Sequence, residues 1–259
     1  MKLTFLGTGT SFGVPQLGCD CPRCRSTDPR DKRTRVGAVV ESDSGSRILI
    51  DTPPELRLQL LAAGIDHFEA VLFTHDHADH VHGIDDIRAI SNKRTSALGI
   101  YGPADSLRRI EERFRYIFDD TMKALPGTSK PEGRGIALRD REPAEIAGMT
   151  VLPVAVPHGS VTVFGYRIGP LAYVTDAKTI SPDVVDALRG SSVLVINALF
   201  RGHHPTHLSI SEAVRAATEI GARRTYFTHL THDNFHAELE AELPDGMMPA
   251  FDGLTISID

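Results

Sequence analysis

Seven residues constrain this chain more than any others: Thr74-His75-Asp76-His77-Ala78-Asp79-His80. Four side chains able to ligate a metal, His75, His77, Asp79 and His80, fall within six positions. They follow Ala70-Val71-Leu72-Phe73, an apolar run that reads as a short buried strand. A strand that ends in ligands presents them at the edge of a sheet. His75 and His77 are two apart on extended chain, so their side chains leave on the same face and can reach one metal. Asp79 and His80 come after the chain has turned, at the start of a helix-like stretch over 80–90, and face a neighbouring point. The spacing therefore predicts two adjacent metal sites. A lone loop histidine is usually solvated or hydrogen-bonded. Imidazoles and a carboxylate at this density are the usual donor set of catalytic zinc.

A second donor cluster lies near the start of the chain. All three cysteines fall in Gly18-Cys19-Asp20-Cys21-Pro22-Arg23-Cys24. An odd number in one cluster is a poor disulfide framework, and Cys19 and Cys21 are too close in sequence for an unstrained bridge. Three thiolates at this spacing can ligate one zinc and leave one tetrahedral position for a fourth donor. The candidate for that position is His232, three residues after His229.

The rest of the chain alternates strands and helices. Leu3–Gly7 reads as a strand, and 38–41 and 47–51 form a hairpin across the turn-forming 42–46. A helix follows, from Pro53-Pro54 through Leu60, with Gly64 as its stop. A strand at 98–102 and a helix over 104–118 complete the first half, with 121–135 read as a loop that is either a lid or merely exposed chain. The second half repeats the scheme. Strands are expected at 150–156, 161–168, 171–175, 193–196, 224–228 and near 254–258. Helices are expected near 182–189, from a Ser209 or Ser211 cap through Ile220, and over 233–242. Gly7-Thr8-Gly9-Thr10-Ser11-Phe12-Gly13 lacks the Lys-Ser/Thr ending of a P-loop and has Phe12 where a dinucleotide fingerprint needs glycine. It reads as a tight turn leading to the cysteines.

The strand followed by H-x-H-x-D-H resembles the signature of the metallo-β-lactamase superfamily. That resemblance implies a third His for the first metal, a bridging Asp and a last His for the second. His158 ends the run Val154-Ala155-Val156-Pro157, Asp176 follows Leu171-Ala172-Tyr173-Val174-Thr175, and His229 follows Arg224-Thr225-Tyr226-Phe227-Thr228. By this likeness one metal is held by His75, His77 and His158, and the other by Asp79, His80 and His229, with Asp176 bridging. The Gly-Thr-Gly-Thr-Ser start, the C-x-C-x-x-C cluster and the late His-x-x-His look like the PhnP-type branch, cyclic-phosphate phosphodiesterases. In that branch the cysteines and the second late His hold a structural zinc, here Cys19, Cys21, Cys24 and His232. A further His near the scissile phosphate corresponds to His207, with His203 and His204 close by in sequence.

The resemblance implies an α/β protein, a four-layer αββα sandwich, over 1–259 as one hydrolase domain. The expected cofactors are two catalytic divalent metals (zinc, manganese or nickel) and one structural zinc. The expected activity is a dinuclear phosphodiesterase acting on a small cyclic or nucleotide-like phosphate ester through hydroxide made available by the metals. Asp79 would orient the nucleophile, and His207 would protonate the leaving oxygen or bind the phosphate. The rivals are a PqqB-like cofactor-biosynthesis protein and a tRNase Z-like or RNA-binding relative. A net charge of −6 argues against a long nucleic acid as partner. Arg35, Arg88 and Lys178, near strand ends, are expected to be structural or surface charges. No apolar run approaches the roughly 18 to 20 residues that span a bilayer. With no export signal and reduced cysteines, a cytoplasmic location is expected. A homodimer is compatible with the sequence but not read from it.

Overall fold

A computed structural model describes the whole chain, Met1–Asp259. Fourteen strands form two seven-stranded sheets. The first contains β1 (Lys2–Gly7), β2 (Gly37–Glu41), β3 (Arg47–Ile50), β4 (Ala70–Leu72), β5 (Leu98–Pro103) and β6 (Gly133–Leu138). The second contains β7 (Ala144–Ile146), β8 (Met149–His158), β9 (Val161–Ile168), β10 (Leu171–Val174), β11 (Val193–Asn197), β12 (Arg224–Thr228) and β13 (Met247–Pro249). The last strand, β14 (Thr255–Ser257), returns to pair with β1 in the first sheet.

Residue alternation explains the layers. Ile48 and Ile50 face the second sheet, in one cluster with Val193, Val195, Tyr166 and Tyr173. Leu49 and Val71 point the other way, onto helices α1 (Leu56–Ala63) and α4 (Ala104–Arg113). Leu194 and Ile196 likewise point outward, onto α6 (Pro182–Leu188), α7 (Ile210–Ile220) and α8 (His236–Glu242). Strands apolar on both faces need cover on both faces. The result is the αββα sandwich.

The helices end where local chemistry ends them. Gly64 closes α1 and Gly221 closes α7, both left-handed with φ of 65° and 75°, a conformation glycine adopts without a Cβ penalty. Ser209, not Ser211, caps α7: its hydroxyl accepts from the Glu212 amide, and Glu212 accepts in return from the Ser209 amide. Two expected helices are broken. The stretch 80–90 is a turn of helix α2 (Ala78–Val81), a 3-10 segment at Ile84–Ile87 and α3 (Arg88–Ser91). The stretch 104–118 splits at Phe114, whose φ and ψ of −118° and 40° leave the helical range, into α4 and α5 (Arg115–Phe118). β6 begins inside 121–135, which is otherwise turn and loop. No helix is long and apolar enough to cross a membrane.

A buried polar network ties the glycine-rich turn and residues 31–34 to the C-terminal half. Arg33, 4% exposed, donates to the Thr8 hydroxyl (2.8 Å) and the Ala250 carbonyl (2.6 Å) and faces His236 Nδ1 (3.3 Å). Asp252 accepts from Thr8 (2.7 Å) and from the Thr34 amide (2.7 Å). Asp31 accepts from the His236 amide (2.7 Å). Burial and then the Arg33 and Arg30 charges push the His236 imidazole down to about 4. The folded protein therefore keeps His236 neutral where the unfolded chain, titrating near 6.5, takes a proton. Stability from this group is present above about pH 6.5 and is lost as pH falls toward 4. His236→Asn keeps an acceptor for Arg33 without a titrating ring. Its chemical-denaturation midpoint should fall less steeply than wild type between pH 6.5 and 4, and identical slopes would remove His236 from the acid sensitivity.

Candidate metal centre

Four chain segments meet at one edge of the sandwich. β3, β4 and β5 are parallel, as are β10, β11 and β12. β8 and β10 are each antiparallel to β9 and so run the same way as one another. In each sheet the ends of these strands thus fall on one edge. The segment after β4 brings His75, His77, Asp79 and His80. β8 ends on His158, Asp176 comes two residues after β10, and His229 directly follows β12.

Three residues at these ends have left-handed backbone: Asp51 (φ 61°), Asp176 (φ 57°) and His229 (φ 58°). Aspartate and histidine tolerate this region better than branched or bulky residues. Such strain clusters at functional sites.

Asp176 is the hub. Its Oδ2 lies 3.6 Å from His75 Nε2, 3.4 Å from His80 Nε2, 3.9 Å from His158 Nε2 and 3.5 Å from His207 Nε2. Its Oδ1 lies 3.5 Å from His229 Nε2. Asp79 Oδ2 is 3.5 Å from His80 Nε2 and 3.8 Å from His229 Nε2. The donor atoms form two main groups, His75, His77, His158 and Asp176 on one side and Asp79, His80 and His229 on the other, and a third set of Asp176, His207 and His229 overlaps both.

The groups fit divalent cations. Two ligands about 2.1 Å from a tetrahedral ion stand about 3.4 Å apart, close to most of these separations and long for hydrogen bonds. His75 Nε2, His80 Nε2 and both His229 nitrogens are buried without a hydrogen-bond partner. Burial first, then neighbouring imidazoles, hold His75 and His77 below the usual histidine range, so their lone pairs are free at neutral pH. Burial alone would also lower His80, but Asp176, Asp79 and Asp51 outweigh it and drive His80 well above that range. Three carboxylates around one buried ring call for positive charge.

The outer partners orient the rings. His80 Nδ1 bonds Asp51 Oδ2 at 2.7 Å, and Asp51 also accepts from the Thr74 amide at 2.8 Å. His158 Nδ1 bonds the Thr206 carbonyl at 2.9 Å. Each contact engages Nδ1 and leaves Nε2 toward the centre. Asp76, the residue between the first two histidines, points elsewhere: Arg109 grips it at 2.7 and 2.9 Å, and Arg113 donates to its carbonyl at 2.8 Å. That clamp fixes the motif to α4. Sequence reasoning gave Asp51 no role, although its place at a strand end, like that of Asp176, was the available signal.

His207, expected beside the ligands, stands among them. Its buried Nε2 has no hydrogen-bond partner, and its ring stacks on His229 with centroids 4.7 Å apart. Its Nδ1 bonds the Thr206 hydroxyl at 2.9 Å and lies 3.2 Å from His204 Nδ1. His204 therefore supports His207 at the rim. A cavity of about 360 Å³ opens over the centre, lined by Ser11, Gly159, Ser160, Val161 and Thr206 together with His77, Asp79, His158, Asp176, His207 and His229. The glycine-rich turn thus borders the cavity through Ser11, beyond its expected role as a lead into the cysteines. The three basic residues near strand ends are paired with carboxylates: Arg35 with Glu55, Arg88 with Asp85 and Lys178 with Glu212.

The cysteines gather round His232. Its Nδ1 lies 3.4 Å from Cys19 Sγ, 3.7 Å from Cys21 Sγ and 3.2 Å from Cys24 Sγ. A zinc with sulfur at about 2.3 Å and nitrogen at about 2.1 Å sets them about 3.6 Å apart. This second site has four donors and no open position.

Two substitutions separate the sites. Asp51→Asn touches no donor atom of the centre but weakens the hold on His80. It should lower metal affinity there by roughly ten- to a hundredfold, measured by competition with a chelating indicator, and unchanged affinity would deny Asp51 an orienting role. Cys21→Ser should lower the melting temperature more than it changes turnover of the protein that stays folded, because a closed site contributes to folding. Full thermal stability with turnover abolished would make these cysteines catalytic instead.

The chain matches a family model described as a beta-lactamase superfamily domain over residues 46–230. The crystal structure of a new diphosphatase from the PhnP family superposes with a TM-score of 0.91 at 38% identity, over 100% of this chain and 98% of that one. Zinc-bound PqqB from Methylobacterium extorquens shares the fold, with a TM-score of 0.80 and 20% identity over the whole of both chains. A Porphyromonas gingivalis protein named octanoyltransferase is 40% identical over 100% of this chain, but the chain spans only 52% of that protein's length. The donor-bearing edge of an αββα sandwich and these matches agree: the chain belongs to the β-lactamase superfamily, as a PhnP-like hydrolase.

Proposed function

We propose that this hydrolase works with two divalent metal ions and cleaves a small phosphodiester or diphosphate linkage. The observation that carries the reading is Asp176, set between two donor groups beneath a polar cavity. His75, His77 and His158 would hold one ion, Asp79, His80 and His229 the other, and Asp176 both. Bound there, the ions would supply Lewis-acid charge for the phosphoryl oxygens and a source of hydroxide near neutral pH.

The chain's own groups do the rest. Asp79, at the cavity wall, accepts a hydrogen bond from the attacking water and orients it. The hydroxyls of Ser11, Ser160 and Thr206 line the same cavity and offer donors and acceptors to substrate oxygens. His207 Nε2 lies where it can bind the phosphate or protonate the oxygen that departs.

The relative in the PhnP family is called a diphosphatase, and the sequence motifs look like those of cyclic-phosphate phosphodiesterases. Both linkages present a phosphorus with one bridging oxygen to expel, and they differ in what leaves. An alkoxide needs a proton, whereas a phosphate leaves without one. The name octanoyltransferase belongs to a relative of which about half lies outside the match, so it bears less on this site.

The test is a panel of cyclic phosphates, bis-esters, nucleoside diphosphate esters and mono-esters, run with zinc, manganese or nickel. Turnover of diesters or diphosphates but not mono-esters supports the reading, and no turnover of any of them sinks it. His207→Ala then sorts the linkages. If His207 is the acid, turnover should fall by roughly a hundredfold or more with alkoxide leaving groups and much less with nitrophenol or phosphate. Equal losses would leave phosphate binding as its role, and a loss of metal from the variant would move His207 into the donor set.

A further inference from the structure

The cavity over the centre has a marked chemical bias. Val161 is its one apolar lining residue, and the rest are hydroxyls, glycine, imidazoles and carboxylates. Such a wall suits a phosphate and a sugar, and its only flat rings are the imidazoles grouped at the centre, four of which line it.

A candidate surface for a flat aromatic group lies in the turn that supplies Ser11. Thr10-Ser11-Phe12-Gly13 is closed by the Gly13 amide donating to the Thr10 carbonyl at 2.9 Å, with Gly13 left-handed at φ 64°. Ser11 and Phe12 are its two corner residues. The turn is anchored on both sides. The Gly9 amide donates to the Thr34 carbonyl at 2.8 Å, and the Leu230 amide donates to the Thr8 carbonyl at 3.0 Å. Leu230 directly follows His229, so the anchor sits one residue from a donor of the centre. A Cβ on Gly9 would stand 2.9 Å from the Arg33 carbonyl, so the strand beneath the turn is packed tight.

Phe12 nevertheless is 67% exposed. A single exposed apolar residue is ordinary on a protein surface. This one differs in place: it is held on a pinned turn, next to a residue that lines the cavity.

We propose that Phe12 is a specificity-determining residue, a stacking platform for the base of a nucleoside-bearing phosphoester whose phosphate and ribose occupy the polar cavity. The inference rests on the phosphoester reading of the site. It narrows the substrate class to nucleotides over base-free sugar phosphates. A base has a π-face whatever its identity, so the ring would favour nucleotides in general and not one base among them.

Calorimetric titration of the metal-loaded protein tests this with two probes, adenosine monophosphate and ribose 5-phosphate, which share the phosphate and sugar and differ by the base. The wild type should bind the nucleotide at least about fivefold more tightly, the lower end of what one base stacked on an aromatic ring contributes. Phe12→Ala should abolish that ratio by weakening the nucleotide alone, and Phe12→Tyr should keep it. Phe12 is exposed, so a matching melting temperature for the three proteins excludes misfolding as the cause. Equal binding of the two probes to wild type, or an unchanged ratio in Phe12→Ala, overturns the proposal and leaves the phosphoester reading standing. Binding of neither probe also overturns the proposal, whereas the phosphoester reading stands or falls on the turnover panel.

Discussion

One buried carboxylate organises this molecule. Asp176 is 2% exposed and lies within 4 Å of five imidazole nitrogens from three other strand ends and one loop. Charges out of water are costly unless they are paired or coordinate metal ions. A cluster of carboxylates and imidazoles this dense therefore calls for divalent cations. It also calls for rigid supports, since a displaced donor would leave another uncompensated. The supports are the sheet edges, where strands paired on both sides lead into the segments that carry the donors.

The same logic extends outward from the donors. Asp51 holds His80, the Thr206 carbonyl holds His158, and Arg109 and Arg113 draw Asp76 away from the centre onto α4. A histidine that bonds through Nδ1 has one orientation left for Nε2. These contacts turn a motif that is merely rich in donors into a directed set. The cysteine site sits one short loop away, since His232 is three residues from His229. The buried Arg33 network fastens the same region from behind. The front wall of the cavity and the closed four-donor site thus depend on shared backbone.

Much of this was legible in the chain. The strand-end positions of His75, His77, His158, Asp176 and His229 follow from apolar runs a few residues long, and the structure brings all five to one edge. The pairing of the cysteines with His232 rested on donor counting, and the structure sets those four atoms within 4.8 Å of one another. Other features were not legible. Asp51 and His80 are 29 residues apart, and nothing local marks their contact. The breaks at Phe114 and within 80–90 are not marked by helical periodicity, which tertiary context can override. The short strands β6, β7 and β13 take their form from a neighbouring strand, not from their own composition.

The division has a physical basis. Side-chain chemistry and the periods of helix and strand are properties of neighbouring residues, so the sequence by itself determined the donor types, the alternation of elements and the β-lactamase-type motif order. What tertiary structure decided is which atoms meet. It placed Asp176 between two donor groups, set His207 among the donors, and brought the Ser11–Phe12 turn to the cavity beside His229. Those outcomes depend on how two sheets pack and on which loops their edges bring together. Such contacts join residues up to about two hundred positions apart, and no window of sequence contains both partners.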